Sequence, residues 1–332
     1  MSSIIKAFCW AFLGFLSASH TGWGAKNSEG QFFEALENGE GQIQAAAQDS
    51  LQKASLNPIS LPDTKDTARC IRDPRCRRLF VVAHRGFGLG APESSRGAAQ
   101  GAVRMGLKVM EIDLRASQDG QVYVICHSEM KNTTSIKKGK IGNYSSATLE
   151  NAHLKNGESL PKFQDIYAIT RGRVVLDLHF KEDLIEKVAD WIHENGSFDD
   201  VIFFVQFPAP ENAKSPKKDR QIDMRNLARL KKKYPEMMVL LRIHDVGDLI
   251  RAKAVWGFKP EIVHTDYPSS DLLDVLHALE VKVFANVLFE EHFGFLGHGQ
   301  ILKLLRTDVD FVQTDHPLTR REESRRFSPY AD

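Results

Sequence analysis

The sequence has little net charge, few cysteines and no hydrophobic run long enough to cross a membrane. Its 332 residues carry 44 basic and 43 acidic side chains, a formal charge of +1. That balance gives no electrostatic reason to expect a nucleic acid as partner. The one concentrated apolar stretch, Ala7 to Leu16, falls well short of the about 20 residues that span a bilayer. It follows Lys6 and precedes small and polar residues, which is the pattern of a secretory signal. We expect that signal over residues 1–24, an exported (periplasmic or secreted) product, and no stable membrane span once it is removed. Removal leaves 43 basic and 43 acidic residues. The local clusters Lys231-Lys232-Lys233 and Arg320-Arg321 read as solvated surface. Of four cysteines, Cys9 leaves with the signal. Cys70 and Cys76 flank an Asp73-Pro74 turn, and an oxidising compartment favours their pairing. Cys126 stays free in a predicted strand and reads as inert packing.

What is present is strand–helix alternation. Residues 25–76 are polar and read as an N-terminal extension, with one amphipathic helix expected over Gln31 to Leu56. From residue 77 to 332 short apolar, β-branched runs recur at Phe80–Ala83, Val109–Leu114, Val174–Phe180, Val201–Phe207, Met238–Ile243, Glu261–Thr265, Val281–Val287 and Phe311–Thr314. Helical patterns separate them, among them Asp183–Asn195, Gln221–Tyr234, Gly247–Trp256 and Ser270–Glu280. Such alternation implies a parallel sheet. Eight strands in one such stretch predict an α/β protein, a closed (β/α)8 TIM-type barrel. A doubly wound sheet is disfavoured by the lack of a Gly-rich nucleotide turn. After the second strand, Asp119-Gly120 predicts a tight hairpin returning through Val122 to His127. Symmetric pairing about that turn sets His127 opposite Ile112.

In a (β/α)8 barrel the working residues lie at the carboxyl ends of the strands. Those ends carry His84-Arg85, Glu111 with Asp113, Asp177-His179-Lys181, Gln206, Arg242, Asp266, Asn286 and Asp315. So many ionisable groups closing apolar strands are not explained by loop solvation. Period two sets Glu111 and Asp113 on one face, and Asp177, His179 and Lys181 on another. Carboxylates with an imidazole suit a divalent cation. His84 and His127 suit proton transfer near neutral pH. Arg85 and Lys181 suit a phosphate, and Arg242 and Asn286 are further candidate substrate contacts.

These motifs, in this order, resemble the glycerophosphodiester phosphodiesterase family. His84-Arg85-Gly86 with Ala91-Pro92-Glu93-Ser94-Ser95 resembles its opening signature, and Glu111-Ile112-Asp113-Leu114 its metal-binding strand. Asp119-Gly120 through His127 is similar to the hairpin with the second histidine, and Val309 to Pro317 to the final strand. The resemblance covers roughly residues 79–318. It implies a metal-dependent phosphodiesterase with His84 and His127 as acid and base. It further implies Glu111, Asp113 and the residue at 179 as metal ligands, Arg85 and Lys181 on the phosphate, and Glu93 in support. The ion expected from the resemblance is Mg²⁺ or Ca²⁺.

Two departures stand out. The family's Glu-x-Lys reads His179-Phe180-Lys181 here, exchanging an anionic ligand for a neutral one and opening the site to Mn²⁺ or Zn²⁺. The Asp that commonly follows the second histidine is Ser128, and the Arg-Thr-Thr stretch beyond it is Asn132-Thr133-Thr134. The expected substrate is a small or lipid-derived phosphodiester. The alternatives are a barrel that binds phosphodiesters without turnover, or transfer or phospholipase-type chemistry on the same site. Phe289, Phe293, Phe295 and Leu296 are candidates for an apolar surface beside the mouth.

Overall fold

The β-branched and aromatic runs form nine strands in the computed structural model, which describes residues 63–87, 91–206, 224–266 and 268–331, excepting the side chains of 224, 225 and 292–296. The strands are β1 Phe80–Ala83, β2 Val109–Ala116, β3 Val122–Val124, β4 Val175–Phe180, β5 Val201–Gln206, β6 Met238–Arg242, β7 Ile262–His264, β8 Lys282–Asn286 and β9 Phe311–Thr314. All but β3 pair in parallel, and β1 bonds to both β2 and β9, which closes an eight-stranded barrel. Helices over Arg96–Arg104, Phe163–Thr170, Ile185–Asn195, Met224–Lys233, Val246–Trp256, Ser270–Ala278, Gly294–Leu305 and Pro317–Phe327 lie between and after the strands. The fold is a (β/α)8 barrel. Among the described residues no helix is long and apolar enough to cross a membrane.

The barrel interior is divided along its axis. Phe80, Val82, Val109, Val175, Ile202, Met238, Leu240, Ile262, Phe284 and Phe311 form one buried apolar cluster. Moving on by two-residue steps along each strand keeps the same face and reaches the polar groups at the carboxyl end. The lower half of the barrel is therefore packed hydrocarbon and the upper half carries the chemistry.

A helix over Thr64–Arg72 closes the apolar end, adding Ala68, Cys70 and Ile71 to the cluster. Burying a side chain such as Ile71 contributes about 1.5–3 kcal/mol. Thr64 Oγ1 donates to Asp200 Oδ1 at 2.7 Å, and Arg72 Nη1 to Asp199 Oδ1 at 2.6 Å. Cys70 and Cys76 form a disulfide with their Cα atoms 5.3 Å apart, and Lys282 donates to the Cys76 carbonyl. Part of the segment assigned from sequence to the extension thus packs on the barrel floor. The signal and the Gln31–Leu56 helix lie outside the described residues.

The hairpin departs from the expected register by one residue. Ser117 N donates to Gln121 O at 2.9 Å and Gly120 N to Ser117 O at 2.9 Å, so the loop has three residues with Gly120 at φ 78°. This is the turn-plus-glycine bulge solution for a three-residue connection. Leu114 pairs with Val124, not Ile125 as symmetric pairing about Asp119-Gly120 requires, and β3 ends at Val124. The chain then enters a small lobe with its own core, including Ile125, Met130, Ile141, Leu149 and Leu160. Two charge clusters also differ from expectation. Arg320 is 6% exposed, pairing with Glu291 and Glu323, and Lys231 pairs with Glu261 at 2.7 Å. Solvated surface describes Lys232 and Lys233 only.

Candidate active site

The ends of β1, β2, β4 and β9 bring the site together. Glu111 stands beside Asp177 and Asp113 beside His179 in the β2–β4 ladder. Glu111, Asp113 and Asp177 are all within 1% of complete burial. His179 bridges two of them, with Nδ1 3.3 Å from Glu111 Oε1 and Nε2 3.1 Å from Asp177 Oδ2. Its ring stacks on Phe204 at 4.0 Å, which fixes its plane. Lys181 pairs with Asp113 Oδ1.

Arg85 is built into the site by its backbone. It takes φ 53° and Gly86 φ 89°, directly after β1. This turn aims Arg85 N at Glu111 Oε2, 3.0 Å away, while its carbonyl accepts from Ser94 N at 2.8 Å. Left-handed backbone at a non-glycine residue costs about 1–2 kcal/mol, and the two hydrogen bonds hold it. Glycine is required next, since a Cβ on Gly86 would press on Met110 Cε at 2.7 Å and Ala98 Cβ at 3.0 Å. The Arg85 side chain spans Glu93 (Nη1 to Oε2, 2.8 Å) and Asp113 (Nε to Oδ2, 3.2 Å), the latter an ion pair outside hydrogen-bond alignment.

His84 is held from behind. Its Nδ1 lies 2.7 Å from Asp315 Oδ1, and its Nε2 3.8 Å from Glu111 Oε2. Asp315 is lowered by its hydrogen bond with His84, opposed by burial. A carboxylate only accepts, so Nδ1 carries the proton in this bond and Nε2 is left facing the carboxylates.

The carboxylates are electrostatically unequal. Burial, followed by the charge of Asp113, drives Glu111 well above the usual carboxylate range despite Lys181. Burial is the largest influence on Asp113 and opposes its ionisation, but Lys181, His179 and the Cys126 thiol together outweigh it and hold Asp113 well below its ordinary value. Asp177 Oδ1 is buried with no hydrogen-bond partner among the described residues. One ligand atom each from Glu111, Asp113 and His179 lies within 4.8 Å of the others. Two carboxylates and an imidazole converging beside a third carboxylate fit a divalent cation, which would relieve the repulsion that burial intensifies.

The Glycerophosphoryl diester phosphodiesterase family profile matches residues 84–319, from the first histidine to beyond the last strand. The chain belongs to that family. A glycerophosphodiester phosphodiesterase of Bacillus altitudinis is 26% identical over 255 residues, covering 71% of this chain and 94% of the relative. A glycerophosphoryl diester phosphodiesterase from Parabacteroides distasonis superposes with a TM-score of 0.64 at 18% identity, over 82% of this chain and 94% of its own. A phosphodiesterase from Oleispira antarctica, solved with the product sn-glycerol-3-phosphate, gives 0.57 at 18% identity, over 74% and 96%. At these identities the structural likenesses establish the barrel.

Against the family pattern, His84, Arg85, Glu93, Glu111, Asp113, His179 and Lys181 form one contiguous network in this member. The other candidates make no hydrogen bond or ion pair with it among the described residues. Arg242 donates to Asp266 at 2.7 Å across β6 and β7, and Asn286 donates to Gln313 Oε1 at 3.1 Å across β8 and β9. His127 is exposed just beyond the hairpin, without a hydrogen-bond partner among the described residues. Its approach is set by Ile125 N donating to Asp113 O at 2.9 Å, two residues earlier. Phe289 is 70% exposed, while the side chains of Phe293, Phe295 and Leu296 lie outside the described residues.

Three residues gain roles that sequence did not assign. Asp315 orients His84; its place in the closing motif was a usable signal. Cys126 is half-buried and its thiol hydrogen-bonds Asp113. Burial and the Asp113 charge push that thiol up to about 12, so it stays a donor at neutral pH. His264 is 2% exposed, beside Phe204 and Phe284, with neither ring nitrogen hydrogen-bonded among the described residues. Burial, then Arg242, depresses its basicity strongly. Nothing in the spacing of an apolar strand announces such a histidine.

Proposed function

We propose that this chain is an exported, metal-dependent phosphodiesterase that hydrolyses glycerophosphodiesters or close relatives, with His84 and His127 moving the protons. The observation that carries this reading is the Glu111–Asp113–His179 cluster enclosed by His84, Arg85 and Lys181 at the mouth of a family barrel. The names of the Bacillus relative and the product in the Oleispira structure support the substrate class.

Glu111, Asp113 and His179 would hold the ion, with the added imidazole extending the choice from Mg²⁺ and Ca²⁺ toward Mn²⁺ and Zn²⁺. When bound, it supplies Lewis-acid stabilisation of the charge that grows on the phosphoryl oxygens. Arg85 offers forked donors to those oxygens and Lys181 a point charge, once the phosphate draws them from Asp113. His84 carries its proton on Nδ1 against Asp315, so its free Nε2 takes a proton from the attacking hydroxyl or water. His127, on the solvent-facing lobe, gives a proton to the departing oxygen. Its exposure suits a leaving group that enters from solvent.

The apolar start of the chain and the Cys70–Cys76 bridge support export, because disulfides persist in oxidising compartments. A second reading, binding without turnover, draws on the replacement of an acidic ligand by His179. The deciding assay uses the mature protein on glycerophosphodiesters, stripped with EDTA and then resupplied with each ion. Metal-restored release of glycerol phosphate that His84→Ala abolishes supports the enzyme. Metal binding without turnover of any phosphodiester would favour the second reading.

A further inference from the structure

The bond between Asp315 and His84 is supported by a buried charge system on the outside of the barrel wall. Glu291 lies in the turn after β8, and its side chain is 3% exposed. Both of its oxygens are engaged. Oε2 accepts from the backbone N of Asp315 at 3.0 Å. Oε1 accepts from the Thr314 hydroxyl and from Arg320 Nε at 3.1 Å. Arg320, also buried, is anchored in turn by Glu323. A buried carboxylate left unpaired is costly, so this arrangement holds only while all its donors stay in place.

The turn itself is pressed into position. Gly297, on the following helix, packs so closely that any Cβ there would collide with the Glu290 carbonyl. Glu291 N also donates to Val287 O at 3.1 Å. The carboxylate therefore meets Thr314 and Asp315 from a fixed base.

We infer that Glu291 is a positioning residue for the reaction. With Arg320 behind it, it clamps the end of β9 so that Asp315 presents its carboxylate to His84 Nδ1 and leaves Nε2 directed at the reacting centre. Here the backbone of the carboxylate that meets His84 is itself fixed by a second carboxylate, Glu291, in a turn outside the motifs quoted from the sequence. The inference rests on the phosphodiesterase reading above.

The test is a mutant cycle. Glu291→Gln keeps the size but turns one amide donor against either the Asp315 N–H or Arg320. We expect kcat to fall about ten- to a hundredfold with KM within about twofold. Asp315→Asn should fall at least as far, and the double variant should be no slower than Asp315→Asn, because both act through one histidine. If the deficits instead multiply, or Glu291→Gln keeps wild-type kcat, Glu291 does not act through Asp315. If Glu291→Gln fails to fold, Thr314→Val removes one donor to the same carboxylate and must show the same non-additivity with Asp315→Asn.

The ¹H–¹⁵N signals of the His84 imidazole provide a readout that does not need turnover. The hydrogen-bonded Nδ1–H resonance should move or vanish in Glu291→Gln while the other histidine signals stay. A wild-type protein without phosphodiesterase activity that still shows this change would sink the activity and keep the clamp. An unchanged His84 signal would remove the clamp.

Discussion

Returning the family's acid to the third motif strand, as His179→Glu, should make the stability of the folded barrel depend more strongly on bound metal. His179 lies 3.3 Å from Glu111 and 3.1 Å from Asp177, so a carboxylate there has two buried carboxylates as neighbours. Two unit charges ~4 Å apart repel by about 4 kcal/mol at an effective dielectric of about 20. Protonation limits the cost. Moving a carboxyl from an ordinary pKa of about 4.3 past pH 7 takes about 1.36 kcal/mol per unit, a ceiling of about 3.7 kcal/mol. Domains of roughly 150–250 residues lose about 2–4 °C of melting temperature per kcal/mol, so this larger barrel should lose about 7 °C in EDTA at pH 7. The new carboxyl has a raised folded pKa. Its penalty is therefore absent below the ordinary carboxylate range and grows as pH rises toward that raised value. Mg²⁺ or Ca²⁺ should reverse the loss, raising the variant's melting temperature by more than the wild type's. Scanning fluorimetry across pH 5–8, with EDTA and with each ion, gives the comparison. Equal melting in EDTA at pH 8 and equal ion-induced rises would refute the placement of residue 179 among the carboxylates.

Two further outcomes follow from the site. Glu111, raised by burial and Asp113, contributes stability that is full below its unfolded pKa and lost as pH rises through the folded one. Glu111→Gln should therefore melt higher than wild type in EDTA, with a gain that grows with pH and disappears in acid. It should also lose the response to added ion. Gly86→Ala meets a positive φ, Met110 and Ala98 together, and should cost about 2–4 kcal/mol by urea midpoint while lowering activity through a displaced Arg85. A variant as stable and active as wild type would show that the turn can relax.

Much of the barrel was legible because its signals are local. The runs Phe80–Ala83 and Phe311–Thr314 are strands with those bounds, and most of the others differ by a residue or so at either end. Strand-end position and period two identified Glu111, Asp113, His179 and Lys181 as one group, since alternation decides which side chains share a face. The hairpin illustrates the limit. Asp119-Gly120 announces a turn, but whether the loop has two residues or three depends on the glycine bulge, and that moved the register by one.

The chain by itself determined the alternation of strand and helix, the inward faces and the residue types at the barrel's mouth. Tertiary structure decided which of those residues meet. Arg242 and Asn286 end strands just as Glu111 and Asp113 do, yet their hydrogen bonds go to Asp266 and Gln313. Asp315 reaches His84 across 231 positions of sequence because β9 closes onto β1. Arg320 and Glu291 look like surface charges until helix packing removes them from water. Periodicity is a property of neighbouring residues along the chain. Charge pairing and burial depend on closure of the barrel, which no local pattern encodes.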